Sequence, residues 1–446
     1  MKEIISVSIG NAGTNVGLDY WELLCLEAGI DSQGKFNSLQ QNLEPGNYKF
    51  FSETSTQTYT PRALFIDTDP QIFSILNTKP LFYPTYTISG TTSLRGNYAK
   101  GFSSKYYNNE SISLIDASLE SLRNIAENSD NFEGFIITHS VAGGTGSSLT
   151  SILLNKLSEE YPKKIRTTVS VMPSENNNEL LEPYNVMHCM NNLIENADAT
   201  FSYDNDALND ICRNTLGIEN PEFESYNHLI AHSMSSITCS MRNDGSLNTN
   251  LSDYMNNLVP YPPIHFLITS QFPLWPLEKT YSPIQYNGFE VVFEVFNTNY
   301  FMTKCETSFG KYMAASLQCR GDYVPKDICC AMSNVKIRRR IEFVDWCPTG
   351  LKCGIDYKIP EIFPKSEVFK IKKHIFLCCN NSAISDIFNR VLYKFDVAYA
   401  NKVCLDKLGQ EGFDDEILIK DRERINMQIN DYEEALKEVE DDEIEV

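Results

Sequence analysis

The sequence predicts an α/β protein with three parts: an N-terminal parallel sheet with its ligand at the strand ends, a smaller mixed α+β region, and a C-terminal helical hairpin with an acidic tail. Three observations predict it. Gly134 to Leu157 reads GFIITHSVAGGTGSSLTSILLNKL: a β-branched apolar run, a bend of small residues, then Leu149, Ile152, Leu153 and Leu157 at helical spacing. Ile4 to Gly29 repeats the pattern, a strand, the loop Gly10-Asn11-Ala12-Gly13 and a helix stopping near Gly29. After Asn205 the chain changes character, and Val259–Ser270 and Cys353–Cys379 hold strand-like runs broken by Pro and Gly. The boundaries that follow are 1–205, 206–380 and 381–446.

Each strand–glycine loop–helix unit is suited to an anion. Glycine allows close backbone approach, bare N–H groups point outward, and a helix N-terminus favours negative charge. One such loop reads equally well as a tight turn; two in one region point to a phosphorylated ligand. The spacing is neither the GxGxxG of a dinucleotide fold nor the GxxxxGKS of a P-loop.

Between and beyond these units the chain reads in order. Residues 31–60 are polar and read as a long exposed loop. Arg62–Ile66 is a strand leading into Asp67-Thr68-Asp69-Pro70. Two carboxylates at a strand end suit a Mg²⁺ held through water, and Asp69-Pro70 equally suits a helix N-cap. Residues 111–127 form an amphipathic helix, Ile165–Met172 a strand, Ser174–Asn178 a polar bend, and Glu182-Pro183-Tyr184-Asn185 opens a helix. Asn205 follows a strand with an amide able to read a base edge; Asn227 offers a second, and Phe223 between them a flat stacking face. Ala383–Ala400 and Asp414–Leu436 read as long exterior helices, the first with Ile384, Ile387, Phe388, Val391 and Leu392 as its apolar face. Glu438–Val446 is a short acidic tail suited to basic partners.

A length of 446 residues allows two or three domains. The net charge of −21 excludes a bare nucleic-acid backbone or an anionic membrane as natural partners. The 13 cysteines are odd in number, without zinc-type spacing, and read as reduced thiols of a cytosolic chain. The start is too short in apolar residues for a signal peptide, and no run of about 18 apolar residues occurs.

Ser140-Val141-Ala142-Gly143-Gly144-Thr145-Gly146-Ser147-Ser148 resembles the signature loop of the tubulins and their bacterial cell-division relatives, the FtsZ proteins. The resemblance extends through SVSIGNAGTNVGLDYWELLCLEA at Ser6, FFSET at Phe50, PRALFIDTDP at Pro61, EPYN at Glu182 and DNDALNDICRN at Asp204. It continues through SSIT at Ser235, NLVPYPPIHF at Asn257, GKYMA at Gly310, RGDYVPKD at Arg320 and EFVDWCPTG at Glu342. Ala12, the segment Pro360–Glu367, CLEAGI and DYEEA are similar to the α type.

The resemblance implies a GTP-binding N-terminal domain with Mg²⁺, in an α-tubulin-like cytoplasmic subunit. Such a subunit pairs with β-tubulin and builds microtubules, meeting motors and associated proteins through its acidic tail. By position, Asn11 and Ala12 contact phosphate, Asp69 links magnesium, and Ser140, Gly143, Gly144, Thr145 and Gly146 hold the α- and β-phosphates. Asn178 and Glu182 match the ribose region, Asn205 and Asn227 the guanine readers, and Phe223 the stacking ring, without the usual hydroxyl. Asp253 matches the carboxylate offered to the nucleotide of the next β subunit, making the activity a GTPase completed across the interface.

The departures carry information as well. Ala142 and Ser148 replace glycines, and Ser93 and Gly96 stand where the family has an aspartate and an asparagine facing the phosphates. Each hydrogen bond lost there is worth roughly 0.5–1.5 kcal/mol. Asp253 is one methylene shorter than the family's glutamate, and a displacement of about 1 Å can cost on the order of 10²-fold in rate. The alternative expectation is a divergent tubulin that binds GTP and β-tubulin but caps or specialises a polymer. Asp253 as a plain solvated helix residue stays open at this point. The family's lateral contact loop is poorly matched at Tyr281–Asn287, the terminal tyrosine is missing, and Lys35 gives no clear match to the acetylated lysine.

Overall fold

The computed structural model describes residues 2–35, 45–54, 56–70, 86–90, 94, 96–102, 112–175, 177, 179–243, 247–276, 288–337, 341–347, 350–364, 368–413 and 415–437. Ser93, Asn178, the loop 281–287 and the acidic tail 438–446 lie outside them.

Apolar strands alternating with helices form a parallel sheet, because each crossover helix must cover a face. Six strands do so: β1 (Glu3–Ile9), β4 (Ala63–Asp67), β5 (Thr87–Ser89), β6 (Phe132–Ser140), β7 (Ile165–Met172) and β8 (Ala199–Asp204). They lie in the order β5-β4-β1-β6-β7-β8, all parallel. The mixed region continues this sheet instead of forming one of its own. β8 pairs in parallel with β9 (Phe266–Phe272) from Thr200↔Phe266 to Ser202↔Ile268. Beyond it come β12 (Lys373–Asn381), antiparallel to both neighbours, β10 (Tyr312–Gly321) and edge strand β11 (Leu351–Asp356). The result is one ten-stranded sheet.

The strand parity sorts the core into two layers. Ile5, Val7 and Ile9 face a cluster built with α2 (Tyr98–Phe102), α3 (Ile112–Glu127), α4 (Gly144–Glu160) and α5 (Glu182–Asn196). Further along, α9 (Gly288–Glu294), α10 (Pro325–Ile337), α11 (Ser385–Ala400) and α13 (Asp415–Glu434) cover the same face, with α12 (Leu405–Gln410) between the last two. Ile4, Ser6 and Ser8 point the other way, toward α1 (Gly10–Ala28). With α1 lie α6 (Asn205–Asp210), α7 (Phe223–Arg242) and α8 (Leu251–Leu258). The expected apolar face of α11 is buried, from Ile387 to Leu392.

The reading of 31–60 as exposed loop is corrected in part. A helical turn at Pro45–Lys49 precedes a hairpin of β2 (Phe51–Glu53) and β3 (Tyr59–Pro61). Its polar composition masks an anchor: Phe50 and Phe51 are fully buried, and Phe51 meets Trp21 edge-on at 5.4 Å between ring centres. All thirteen cysteines are free thiols, most of them buried. Among the described residues, no helix is long and apolar enough to cross a membrane.

One buried charge cluster ties α1 to the mixed region. Glu27 Oε2 pairs with Arg242 Nη1 at 2.5 Å, and Oε1 accepts from Arg320 Nη2 at 2.8 Å. Burial alone would raise the Glu27 carboxyl; the two guanidiniums outweigh it and hold the group well below the usual carboxylate range.

Candidate functional site

Two uncapped helix N-termini meet at the carboxyl ends of neighbouring strands β1 and β6. α1 begins directly at Gly10 and α4 at Gly144; neither has a capping side chain or an acidic residue in its first turn. Their leading N–H groups have no intrahelical acceptor, so each terminus carries partial positive charge. The loops are in contact. Gly10 has φ +75°, and a Cβ on it would stand 3.0 Å from the Gly146 nitrogen. Gly144 packs on the Gly96–Asn97 backbone so closely that a Cβ would fall 2.6 Å from the Asn97 nitrogen. Around Gly143 the space is open. The serines after the loop do not compete for the ligand: Ser147 and Ser148 hydroxyls donate back to the Gly144 carbonyl, at 3.3 and 2.6 Å. Bare amides at two adjoining helix starts, with no acidic residue in either first turn, form a cradle suited to phosphate.

The sequence-selected residues divide into those the fold gathers here and those it does not. Asn11 and Ala12 are exposed on the first turn of α1, with Asn15 Nδ2 donating to Asn11 Oδ1 at 3.0 Å. Ser140, Gly143, Gly144, Thr145 and Gly146 line the opposing loop. The strand end carrying Asp69 joins them through hydroxyl contact between Thr68 and Thr145 at 2.8 Å. Asp67 Oδ1 accepts from the Asp69 N–H at 3.0 Å, while Oδ2 is buried without a hydrogen-bond partner. Burial pushes the Asp67 carboxyl up, against the Asp69 and Thr68 backbone bonds that lower it. A buried carboxylate oxygen without a hydrogen-bond partner, on a strand end whose Thr68 hydroxyl meets that of Thr145, fits a hydrated divalent cation. Asp67 is one of the two carboxylates that the sequence reading offered to Mg²⁺, although among the matched positions it named only Asp69.

The two candidate base-reading amides stand on α6 and α7. Asp204 caps α6 by accepting the Asp206 N–H at 3.0 Å, which sets Asn205 as its first residue. The Tyr226 hydroxyl donates to Asn209 at 3.2 Å and holds the start of α7 beside α6. Asn205 and Asn227 are half-buried on these adjoining helix starts, and the Phe223 ring is 75% exposed, edge-on to Tyr226. Glu182 is almost fully buried and accepts from Lys394 at 3.1 Å and from Asn177. Burial raises its carboxyl more than Lys394 lowers it.

Asp253 stands apart. It is the third residue of α8 in a capping box with Asn250: Oδ2 accepts from the Asn250 N–H at 3.1 Å and the Thr249 hydroxyl at 2.9 Å. It is neither a plain solvated residue nor near the cradle. The same turn is tied to the start of the sheet, where Ser252 Oγ accepts from Lys2 at 3.1 Å and donates to Glu133 at 3.2 Å. Lys2 precedes β1, and Glu133 is the second residue of β6. The cradle lies past the other end of both strands, about 23 Å away for a seven-residue strand.

A parallel sheet with paired, uncapped helix starts at its carboxyl edge and amides flanking them defines a nucleotide-binding α/β protein. Residues 3–213 match the Tubulin/FtsZ family, GTPase domain, and residues 262–393 the Tubulin C-terminal domain. The chain is 38% identical over 452 residues to the tubulin alpha-2 chain of Eleusine indica, covering 100% of both. It is 38% identical over 453 residues to the tubulin alpha-1B chain of Physarum polycephalum, covering 100% of this chain and 99% of that one. The tubulin alpha-1 chain of Arabidopsis thaliana is 38% identical over 441 residues, 98% of this chain and 97% of its own. The chain belongs to the tubulin family, as a divergent member of its α-tubulin branch.

Proposed function

We propose that this chain is the α-type half of a GTP-binding tubulin heterodimer that assembles head to tail with β-tubulin as part of the cytoplasmic microtubule cytoskeleton. In this reading the cradle holds GTP, with Asn205 and Asn227 on guanine and Phe223 stacked on it. Asn178 and Glu182 serve the ribose, and Asp67 and Asp69 are the groups that would hold Mg²⁺ through water. The ion would neutralise phosphate charge there. Asp253 orients water at the β subunit's nucleotide. The observation that carries this is the length of sheet between Asp253 and its own cradle. A carboxylate must lie within hydrogen-bond reach of the water it orients, so Asp253 can act only on a neighbour. The acidic tail is the element offered to motors and associated proteins.

A second reading, a subunit that caps or specialises a polymer, is supported by Asp253 itself. Its Oδ2 already serves the capping box, and its side chain is short. Co-expression with β-tubulin, nucleotide extraction and a GTP-hydrolysis assay across a concentration series test both. The first reading expects bound guanine nucleotide, hydrolysis rising steeply above a critical concentration, and loss of that rise in D253A. Hydrolysis independent of concentration and untouched by D253A overturns it. Assembly with little hydrolysis, restored by D253E, selects the second.

A further inference from the structure

Asn185, buried in the first turn of α5, bonds three backbone groups on two loops. Its Oδ1 accepts the Tyr98 N–H at 3.0 Å, and its Nδ2 donates to the Gly96 carbonyl at 2.8 Å and the Ala142 carbonyl at 2.9 Å. Gly96 and Tyr98 belong to the loop that opens α2; Ala142 lies in the cradle loop ahead of α4. These are the loops that touch at Gly144. Gly96 has φ +71° and open space where a Cβ would be, so at that position the loop offers a ligand backbone and no side chain. Backbone donors recognise phosphate only while their peptide planes are held. A loop without an anchor loses that order, or has to regain it when ligand binds. Behind Asn185, His188 and Asn191 of the same helix bond Asp421 of α13, so the helix bearing the carboxamide is itself braced.

We propose that Asn185 is a positioning residue for the nucleotide phosphates: one carboxamide clamps the Gly96 loop to the Ala142–Gly146 loop and keeps both backbones in a single binding geometry. This rests on the reading that the cradle holds GTP. The clamp acts on the phosphate end alone, since the purine-facing amides stand on α6 and α7.

The test uses the full chain co-purified with β-tubulin, comparing wild type, N185S, N185D and the control N192A. Asn192 sits on the same helix and bonds the Tyr98 hydroxyl and the His188 carbonyl, with no contact to either loop's backbone. Dissociation of labelled GTP and of labelled GMP is followed from each; the β subunit and its nucleotide are the same in all four, so a difference between them is read as this chain's. The clamp predicts GTP release at least tenfold faster from N185S, with GMP release changed much less. N185D, which sets a carboxylate against two carbonyls, is faster still, and N192A matches wild type. Should N185D not fold, N185S carries the test, because it removes the carboxamide without burying a charge. Equal acceleration for GTP and GMP, or an N192A rate equal to that of N185S, overturns the clamp and leaves Asn185 a packing residue. Wild type that holds no guanine nucleotide overturns the underlying reading instead.

Discussion

At the carboxyl ends of β1 and β6 the chain presents backbone: glycines, uncapped helix starts and no carboxylate in either first turn. At the amino ends of the same strands it presents side chains: Lys2 on Glu133, Ser252 between them, and Asp253 closing a capping box. The first arrangement suits an anion. The second has a carboxylate and no cradle. Neither end is a complete hydrolytic site, and α1 and α7 span the distance between them. α1 starts in the cradle and ends at Glu27, which meets Arg242 at the far end of α7 and Arg320 of β10. On the proposed reading, the two ends supply one chemistry between them only where subunits meet.

The largest expected effect comes from cutting that span. E27Q leaves two guanidiniums buried without their counter-charge and should cost about 3–5 kcal/mol, read from urea unfolding. A loss under about 1 kcal/mol would mean the two ends are coupled some other way. The cradle side has its own acid weakness. His139 is fully buried beside Ser140, with Nε2 2.9 Å from Ser170 Oγ, and desolvation lowers its pKa to about 4. Its folded pKa is depressed, so the neutral form supports the fold above about pH 6.5. That support drains as the unfolded chain takes up a proton, by about 1.4 kcal/mol per pH unit down to about pH 4. H139N should lose that part of the slope in a pH series of unfolding free energies; parallel curves would remove His139 from the account.

Two smaller substitutions separate binding from catalysis. G10A forces a side chain into the left-handed region 3.0 Å from the Gly146 nitrogen. It should cost about 1–2 kcal/mol and strip bound nucleotide from the purified protein. Full nucleotide content in G10A would show that the two loops do not bind as one. D253A removes a capping contact worth about 1 kcal/mol and should leave nucleotide content unchanged. A fall in bound nucleotide on D253A would erase the contrast between the ends.

Much was legible along the chain because its signals are local. Glycine spacing, β-branched runs and helical periodicity depend on neighbours within a few residues, and they located β1, β6, β7, α1, α4 and the long helices α11 and α13. The family strings covered Asp69 and Asn205, which the fold has beside a strand end and at a helix start; Phe223 and Asn227 were matched by position alone, and the fold has both in the first turns of α7. The hairpin at 51–61 was hidden, because its composition is polar and its anchor, Phe51 on Trp21, is a contact across thirty residues of sequence. Asn185 was unreadable as a site residue, since what marks it is which distant backbone groups its side chain reaches; Asp67 was legible as one of two strand-end carboxylates. The sequence by itself determined which elements form and that an anion belongs at the glycine loops, since backbone preference and burial pattern are written residue by residue. Only the tertiary structure decided that the sheet is continuous and that Asp253 stands at the opposite end of the strands from its own cradle, because those facts depend on contacts between segments far apart in the chain.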